Sequence, residues 1–453
     1  MPTKSADIRY REMNPVKVVK VIGGGLAGCE AAWQIARRGF PVQLFEMRPR
    51  VKSAAHRTGD LAELVCSNSL KSQRSDRAGG LLKEELRFAG SLLLEIAEEA
   101  SIPGGSALCV DRREFAHMVT ETLSGSALIE VVREEVTTIP REGIVVIASG
   151  PLTSDPLAES IKNNLGTESL FFYDAIAPTV EADSISWDEV FIQDRYQDPG
   201  SGAYVNCPLD KDQYQTLVSA LRSADPLKPH EFEDKRYFEA CMPIEELASR
   251  GDRTLAYGSW RPVGLTNPKT GMRPHAVIQL RPENRAATSY SMVGFQTRLL
   301  FPDQERIFRT IPGLGKASFE RLGTIHRNTY INAPSLLDRT QRLIRDPRLF
   351  FCGQIAGVEG YVESMASGLI TGLNVATFLG DRQPVPPPVT TMTGAILGKL
   401  TDTQSTPFTP VNAQFGLLPP LQDLKLKKDV KRQILAERAL QDMKGWLEEY
   451  GRV

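Results

Sequence analysis

A glycine-rich turn between a short apolar strand and a helix is the feature that most constrains this chain. The run VKVVKVI at 16–22 is rich in β-branched residues, as a buried parallel strand is. It leads directly into Gly23, Gly25 and Gly28, which satisfy the GxGxxG spacing. The first glycine permits a tight turn, the second lets a pyrophosphate approach the backbone, and the third lets the helix pack closely on the strand. The sequence therefore predicts an α/β fold that begins with a nucleotide-binding unit.

The segments that follow this turn complete one half of a nucleotide site. A helix is predicted from Cys29 to Arg38, and a second strand, PVQLFE, at 41–46. This strand ends at Glu46, where a carboxylate can accept hydrogen bonds from an adenosine ribose. The residues expected to bind the nucleotide here are Gly23, Gly24, Gly25, Leu26, Ala27, Gly28 and Glu46.

Two later segments decide which nucleotide is bound, because folds that bind S-adenosylmethionine and plain dehydrogenases also carry a glycine-rich turn followed by an acid. The segment GIVVIASG at 143–150 is a predicted strand that ends at Gly150, and LFFCG at 349–353 is another, followed by a helical stretch. A flavin and its ribityl chain need a helix N-terminus and a strand end far from the ADP site. We therefore predict FAD as the cofactor, with further contacts from Gly150, Gly353, Gln354 and Gly360.

These two halves of the site imply that one domain is interrupted by another. At 453 residues the chain exceeds the roughly 250–300 residues that one hydrophobic core usually serves. Strand-like runs at 203–205 and 275–280 alternate with turns and with a helical stretch at 213–222, which indicates mixed α+β structure. We predict a Rossmann-like FAD-binding domain of the glutathione-reductase type, with an inserted α+β domain. The expected division is an N-terminal extension (1–15), a first FAD-binding part (16–170), an insert (171–333) and a second FAD-binding part with a C-terminal helix (334–453).

Composition and cysteine placement indicate the cellular compartment. The first 15 residues contain charges but no apolar signal region, and no stretch in the sequence approaches about 18 uninterrupted apolar residues. The six cysteines lie far apart and form no metal-binding spacing, so free thiols in a reducing cytosol are expected. The sequence predicts a cytoplasmic protein that does not span a membrane.

Several longer segments carry a resemblance to a known family over nearly the whole chain after residue 15. The segments are Gly23–Gly28, ELVCSNSL at 63–70, GGLLKEE at 79–85, SGPLTS at 149–154, FEACMPIE at 238–245, HRNT at 326–329, GQ at 353–354, GVEGYVE at 357–363 and NAQFGL at 412–417. With these motifs the chain resembles the folate- and FAD-dependent tRNA (uracil-5-)-methyltransferases, the TrmFO family. Ala240 and Ser149 depart from the residues common in that family, and neither departure removes a reacting group.

The resemblance implies a methylation reaction at C5 of a T-loop uridine in tRNA. In it, 5,10-methylenetetrahydrofolate supplies the carbon, reduced FAD supplies the hydride, and NAD(P)H reduces the flavin again. C5 of uracil is a poor nucleophile until a thiolate adds at C6, so one cysteine and one proton acceptor form a minimal catalytic set. Cys66 and Cys241 match the two functional cysteines of the family. Which of them attacks C6 stays open, although we favour Cys241.

Recognition of RNA is expected from the inserted domain. From Lys235 to Arg345 the sequence has 18 Lys and Arg against 9 Asp and Glu, although the whole chain has a formal charge of −1. RNA loops are bound through phosphate charge and through bases that stack on aromatic or arginine planes. His326 is a weaker candidate for contact with folate or RNA, and the helix predicted at 424–446 is expected to be mainly a solvated face. The candidate RNA contacts are Arg253, Arg261, Arg273, Arg281, Arg285 and Trp260.

Two other activities remain as alternatives at this point. The same chemistry on a ribosomal RNA uridine would leave the catalytic motifs unchanged. A generic NAD(P)H-dependent flavin oxidoreductase would be expected to carry paired redox cysteines, such as CxxxxC, after the first nucleotide motif, and the sequence contains no such pair. The oligomeric state and the choice between NADH and NADPH are left open by the sequence.

Overall fold

The computed structural model describes residues 18–53, 55–166, 170–224, 242–404, 408–421 and 426–451. The strands in these ranges are β1 (Val19–Ile22), β2 (Val42–Phe45), β3 (Ser69–Ser72), β4 (Ser101–Ile102), β5 (Ala107–Val110), β6 (Ile129–Val132), β7 (Val145–Ile147), β8 (Leu170–Ala175), β9 (Thr179–Glu181), β10 (Phe191–Ile192), β11 (Val205–Leu209), β12 (Ala276–Pro282), β13 (Ser289–Met292), β14 (Phe319–Arg321), β15 (Ile325–Tyr330) and β16 (Leu349–Phe351).

The helices in the same ranges are α1 (Leu26–Ala36), α2 (Ala78–Ala89), α3 (Leu92–Glu99), α4 (Arg112–Ser124), α5 (Asp155–Leu165), α6 (Lys211–Ser223), α7 (Ile244–Ser249), α8 (Thr254–Tyr257), α9 (Phe301–Phe308), α10 (Ala333–Leu336), α11 (Tyr361–Leu379), α12 (Met392–Leu400) and α13 (Lys428–Gly451). A 3-10 turn at Gly353–Ala356 follows β16 and leads into the segment at 357–360 that precedes α11.

A five-stranded parallel sheet forms the first part of the fold, with strand order β16-β7-β1-β2-β6. β1 lies in the middle and pairs with β2 on one side and β7 on the other. β16, which comes from the far end of the chain, pairs with β7 at the edge of the sheet. The predicted α/β class and Rossmann-like sheet are therefore confirmed, and the strands expected at 143–150 and 349–353 lie where a nucleotide-binding sheet needs them.

Element boundaries near the glycine turn differ from the predicted ones. α1 begins at Leu26 and not at Cys29, because Gly25 is extended (φ −82°, ψ −173°) and the helix starts at the next residue. It ends at Ala36, before a turn that reaches Gly39 with φ +89°. β2 ends at Phe45, so Glu46 lies just beyond the strand. Of the predicted strand at 16–22, residues 16 and 17 lie outside the described ranges.

The inserted segment has its own sheet and core. Six antiparallel strands have the order β10-β11-β12-β13-β9-β14, and α6, α7, α8 and α9 contribute to the apolar cluster beside them. The strand predicted at 203–205 lies instead at Val205–Leu209. The predicted helix begins at Lys211, two residues early, because Asp210 and Gln213 form a capping box. β8 pairs with β15 over six residues, so the chain enters and leaves the insert through paired strands.

Helix α11 is long and apolar enough to cross a membrane by length and composition. However, 83% of its apolar window is buried inside the fold. Its buried residues belong to the same core cluster as those of α1 and of the parallel sheet. Within the described ranges it is the one helix that meets these criteria, and it serves as a core helix.

Close contact between α1 and α11 depends on two glycines of α11. A Cβ added at Gly368 would overlap the backbone oxygen of Ala27. A Cβ at Gly372 would lie 2.6 Å from Gln34 Cβ and 2.8 Å from Ala31 O. Because contacts this short involve rigid helix backbone, any larger residue at these positions forces the two helices apart.

We expect Gly368→Ala to destabilise the fold by about 1–3 kcal/mol through overpacking. The matched control is Gly445→Ala in α13, where an added Cβ meets no atom within 4 Å. Alanine has the higher helix propensity, so Gly445→Ala should stabilise the protein by up to about 1 kcal/mol. Denaturant unfolding of the two variants measures both effects, and equal effects of the same sign would contradict this account of the helix contact.

Candidate active site

A cavity at the carboxyl end of β1 gathers five of the eleven residues predicted to bind the nucleotide; we call it the glycine cavity. Gly23, Gly24, Gly25, Glu46 and Gly150 line it. It also meets the N-terminus of α1, where no side chain caps the backbone N–H groups. Uncapped N–H groups and the positive end of the helix dipole together bind phosphate.

Gly25 tests whether this cavity fits a dinucleotide. Its backbone dihedral angles are open to any residue, and a Cβ built on it meets no protein atom within 4 Å. The protein itself thus gives no steric reason for glycine at this position. A pyrophosphate lying against the backbone does give one. Gly28, by contrast, is required by the fold, because its Cβ would overlap the backbone oxygen of Gly23.

Glu46, the predicted ribose ligand, lines the glycine cavity, and its carboxylate is held by hydrogen bonds. Its carboxylate accepts hydrogen bonds from Gly24 N at 3.0 Å and from Arg48 Nε at 2.8 Å, and Arg48 also pairs with Glu63 at 3.1 Å. Burial raises the pKa of Glu46, but the hydrogen bonds and charge of Arg48 outweigh burial, so the pKa is lowered overall. Glu46 therefore remains an acceptor for ribose hydroxyls at neutral pH.

A second cavity of about 400 Å³ adjoins the first; we call it the cysteine cavity. Pro151 and Leu152 line both cavities, so the two lie next to each other. The volume of the cysteine cavity lies in the range of small-molecule sites. Residues around it from several elements include Cys66, Lys71, Arg281, Gln296, Asn328, Gln354, Glu359, Gly360 and Tyr361.

The turn that carries Cys66 is fixed by hydrogen bonds from distant parts of the chain. The hydroxyl oxygen of Tyr361, in the first turn of α11, accepts from Cys66 N at 2.8 Å and from Ser67 N at 3.1 Å. Arg281, on β12, donates to Ser67 Oγ at 2.8 Å and to Asn68 Oδ1 at 2.7 Å. Burial raises the pKa of the Tyr361 phenol, and the nearby Cys66 raises it further, so the hydroxyl stays protonated.

Two more arginines hold the residues just before Cys66. Arg321 donates to Val65 O at 2.8 Å, and Arg112 donates to Leu64 O at 3.2 Å. Arg112 also forms an ion pair with Glu283. Burial lowers the pKa of Arg321 to about 10, with a further lowering from Arg112, and both groups remain charged at neutral pH. The cysteine therefore sits on a turn that is positioned by cationic side chains of the insert and of α4.

Beneath the N-terminus of α11 a second group of charges closes the cavity. Lys71 Nζ pairs with Glu363 Oε1 at 2.8 Å, and the buried Lys83 donates to Leu70 O at 2.6 Å. Burial lowers the pKa of Lys83 to about 8. Gly360 lies beside the ion pair of Lys71 and Glu363, and its φ of +116° lets the chain turn into α11 at this point.

Cys66 is the accessible thiol among the described cysteines. Its side chain is partly exposed and lines the cysteine cavity, whereas the other described cysteines are buried. Burial raises the pKa of each buried thiol, to about 12 for Cys352. Cys241, the second predicted catalytic residue, lies outside the described residues. The buried thiols are Cys29, Cys109, Cys207 and Cys352.

The remaining predicted nucleotide contacts divide into lining and packing positions. Gln354 and Gly360 line the cysteine cavity, and Gln354 Nε2 donates to Glu359 Oε2 at 2.9 Å. Leu26, Ala27 and Gly28 form the first turn of α1. Gly353 packs against α1, where an added Cβ would lie 2.6 Å from Ala27 Cβ.

Trp260 was wrong as a predicted contact for RNA, whereas Arg281 lines the cysteine cavity and stays a candidate. Trp260 is fully buried and stacks on Phe295 in the core of the insert. Arg281 is 8% exposed and faces the Cys66 turn. The sequence gives the number of arginines but not the side of the strand from which each one projects. The side chain of His326 lies outside the described residues.

The other predicted arginines lie on the surface of the insert. Arg253, Arg261 and Arg273 are exposed, and Arg285 is exposed but pairs with Glu114 at 3.1 Å. Tyr196 and Tyr257, which the sequence analysis did not select, are 77% and 75% exposed in the same region. The loop that carries Tyr196 is held against the segment around Arg261, because Arg195 donates to Arg261 O at 2.7 Å and Tyr196 N donates to Gly264 O at 2.8 Å.

Sequence reasoning also missed Tyr361, Arg112 and Arg321 as supports of the Cys66 turn. Tyr361 lies inside the quoted segment at 357–363, so its position next to Gly360 was the available signal. Arg112 and Arg321 are more than 40 residues from Cys66 in sequence, and no local pattern indicates that they contact its turn.

Comparisons with known proteins identify the family of this chain. Residues 18–383 match the model of the family described as "Glucose inhibited division protein A". The methylenetetrahydrofolate–tRNA-(uracil-5-)-methyltransferase TrmFO of Geobacter sulfurreducens is 54% identical over 95% of this chain and 98% of its own length. That of Dictyoglomus thermophilum is 51% identical over 94% of this chain and 97% of its own length.

Among solved structures, GidA of Aquifex aeolicus has the same fold. One crystal form superposes with a TM-score of 0.70 at 16% identity and covers 96% of this chain and 74% of the GidA chain. A second form gives a TM-score of 0.67. With relatives above 50% identical over nearly their full length, the chain belongs to the TrmFO family of methylenetetrahydrofolate–tRNA-(uracil-5-)-methyltransferases.

Proposed function

We propose that this protein methylates C5 of a T-loop uridine in tRNA, with 5,10-methylenetetrahydrofolate as carbon donor and FAD as resident cofactor. The observation that carries the proposal is the accessible Cys66 thiol in a cavity that shares Pro151 and Leu152 with the glycine cavity. When bound and reduced by NAD(P)H, FAD supplies the hydride that turns a one-carbon unit at the formaldehyde level into a methyl group. Membership of the TrmFO family supports the same reaction.

The chain's own residues would activate the uracil and move protons. One cysteine, as thiolate, adds to C6 and places electron density on C5, which then attacks the one-carbon unit. A base removes the C5 proton as the bond between that carbon and its carrier nitrogen breaks. Once the carbon has accepted the hydride, the C5–C6 double bond returns and the thiolate leaves C6. We assign these two roles to Cys241 and Cys66, with Cys241 favoured as nucleophile. Tyr361 and Arg281 position Cys66 through its neighbouring backbone and Ser67.

The cofactor contacts are proposed for the same two cavities. Gly23, Gly24, Gly25 and the first turn of α1 would hold the pyrophosphate, and Glu46 would hold the ribose. Gly150, Gln354 and Gly360 would meet the ribityl chain and flavin. We also propose the division into an FAD-binding domain (16–170 and 334–453) and an inserted domain (171–333), and a cytoplasmic location.

Exposed side chains of the insert suggest where tRNA binds. Arg253, Arg261 and Arg273 are unburied cations, and Tyr196 and Tyr257 offer flat rings to unstacked bases. Single-stranded and loop RNA is bound by this combination of charge and stacking. The same chemistry on ribosomal RNA is the alternative, and mass mapping of methylated uridines in RNA from cells that lack the protein separates the two.

The first functional prediction concerns the cofactor. We expect Gly25→Ala to fold normally but to lower FAD affinity by about 10- to 100-fold, because its methyl group occupies the space of the pyrophosphate. Flavin absorbance of the purified protein and FAD titration of the apoprotein measure the loss.

Two glycine variants serve as controls for this test. Gly416→Ala adds a methyl group in open space away from the cavity and should bind FAD as the unchanged protein does. Gly28→Ala overlaps the backbone and should lose stability together with FAD. Normal FAD affinity in a folded Gly25→Ala protein would remove the pyrophosphate from this position.

The second prediction separates catalysis from cofactor binding. Cys66→Ala should keep FAD but lower methylation of a T-loop uridine by about 100-fold or more, since a reacting group is lost. Cys241→Ala should behave in the same way. Initial rates with methylenetetrahydrofolate and NAD(P)H, beside flavin content, provide the measurement.

Buried thiols supply the matched controls. Cys109→Ala and Cys207→Ala remove thiols that line no proposed contact and should retain most activity if folded. A tRNA containing 5-fluorouridine should trap a covalent adduct on the nucleophilic cysteine alone, because fluorine cannot leave as a proton does. Near-normal methylation by both the Cys66 and Cys241 variants would refute the two-thiol mechanism.

The third prediction concerns the RNA surface. Combined reversal of Arg253, Arg261 and Arg273 to Glu should weaken tRNA binding and reduce the slope of log affinity against log salt by about 2–3. The comparison variant reverses three exposed lysines near the start of α13, namely Lys427, Lys428 and Lys431. Filter binding across a salt series measures both, and equal losses would argue against the insert as the RNA surface.

A further inference from the structure

Asn328, on β15, is a buried side chain whose amide nitrogen lacks a hydrogen-bond acceptor. The residue is 3% exposed, and Nδ2 has no hydrogen-bond partner in the described structure. Other buried asparagines show what is usual in this fold. Asn68 Nδ2 donates to Val110 O and Pro282 O, Asn206 Nδ2 to Gln193 O, and Asn374 Nδ2 to Thr340 O. A buried donor without an acceptor is destabilising, so its presence calls for an explanation.

The position of Asn328 supplies one. It lines the cysteine cavity, in the wall that also contains Pro151 and Gln354. Its strand is fixed on both sides, because Thr329 N donates to Pro151 O at 3.0 Å and Ile331 N donates to Ile355 O at 2.9 Å. The strand therefore connects the turn after Gly150 with the 3-10 turn that carries Gln354, and its backbone leaves Asn328 little freedom to find another acceptor.

We propose that Asn328 Nδ2 donates a hydrogen bond to a ring carbonyl oxygen of the ligand in the cysteine cavity. The carbonyl belongs to a –CO–NH–CO– ring, the grouping that the flavin of FAD and the target uracil share. This inference rests on the proposed function, because that function brings both rings to this cavity. An amide suits the task better than a lysine, since it donates without adding charge to a site already bordered by Lys71 and Arg281.

The unpaired nitrogen also has a consequence for stability that separates a ligand contact from a structural role. Replacing Asn328 by leucine keeps a similar shape and removes a buried donor that has no partner among the described residues. The ligand-free protein should therefore be as stable as the unchanged protein or more stable. Asn374→Leu is the matched control: it breaks the bonds with Thr340 O and Tyr450 Oη, and should lower stability.

The experiment compares Asn328→Leu, Asn328→Asp and Asn374→Leu in the full-length protein. Thermal unfolding of the FAD-free forms gives stability, FAD titration gives affinity, and trapping of a 5-fluorouridine tRNA reports on uracil placement. If the flavin is the partner, Asn328→Leu should weaken FAD binding by about tenfold. Asn328→Asp should weaken it further, because an acceptor then faces a carbonyl oxygen. The visible flavin bands should also shift in both variants.

The outcomes are distinct. Unchanged FAD affinity with an adduct yield lowered about tenfold assigns the bond to uracil and supports the proposal. Unchanged FAD affinity together with unchanged adduct yield overturns it. A loss of FAD-free stability in Asn328→Leu as large as that in Asn374→Leu also overturns it, since Asn328 would then have a structural partner. If the unchanged protein itself binds no FAD, the proposed function fails, and this result is separable from failure of the Asn328 variants alone.

Discussion

Backbone-to-backbone contact between α1 and α11 is the constraint on which the nucleotide site depends. α1 carries the glycine turn at its start, whereas α11 begins at Tyr361, directly after Gly360 and beside the cysteine cavity. The two helices are more than 300 residues apart in sequence. Glycines at 368 and 372 let the two helices approach so closely that an added Cβ at either position would overlap atoms of α1. As β16 joins the same sheet as β1, the two ends of the chain form a single ligand-binding surface.

The Cys66 turn is a second product of long-range contacts. Its residues form no regular secondary structure before β3, so local backbone hydrogen bonds do not fix it. Side chains from α4, β12, β14 and α11 do so instead, and three of the four are arginines. Arginine suits this role because its planar guanidinium donates to several acceptors at once and stays charged when buried. A reacting side chain on such a turn keeps its position without belonging to a helix or strand.

The sequence predicts the nucleotide-binding half well, because its signals are local. A β-branched run, a spaced set of glycines and a terminal acid each act within a few residues, and Gly23, Gly25, Glu46 and Gly150 do line one cavity. The insert is predicted less well. Trp260 and Arg281 were named as candidate RNA contacts because aromatic and cationic residues bind RNA, yet both are buried, and burial is decided by the side of a strand or turn that a residue occupies. Register in an antiparallel sheet depends on partners far away in sequence.

The pairing of β8 with β15 has a mechanical meaning. An insert joined by two unpaired linkers can rotate about each linker independently. Here the outgoing and returning chains form one ladder from Leu170 to Tyr330, and Ile176 N continues it by donating to Thr324 O at 2.8 Å. A two-stranded ribbon twists and bends but does not let its strands slide past each other without breaking the ladder. The insert is thus held in fixed register with the parallel-sheet part by one hydrogen-bonded ladder, and the strand that bears Asn328 is one of its two strands.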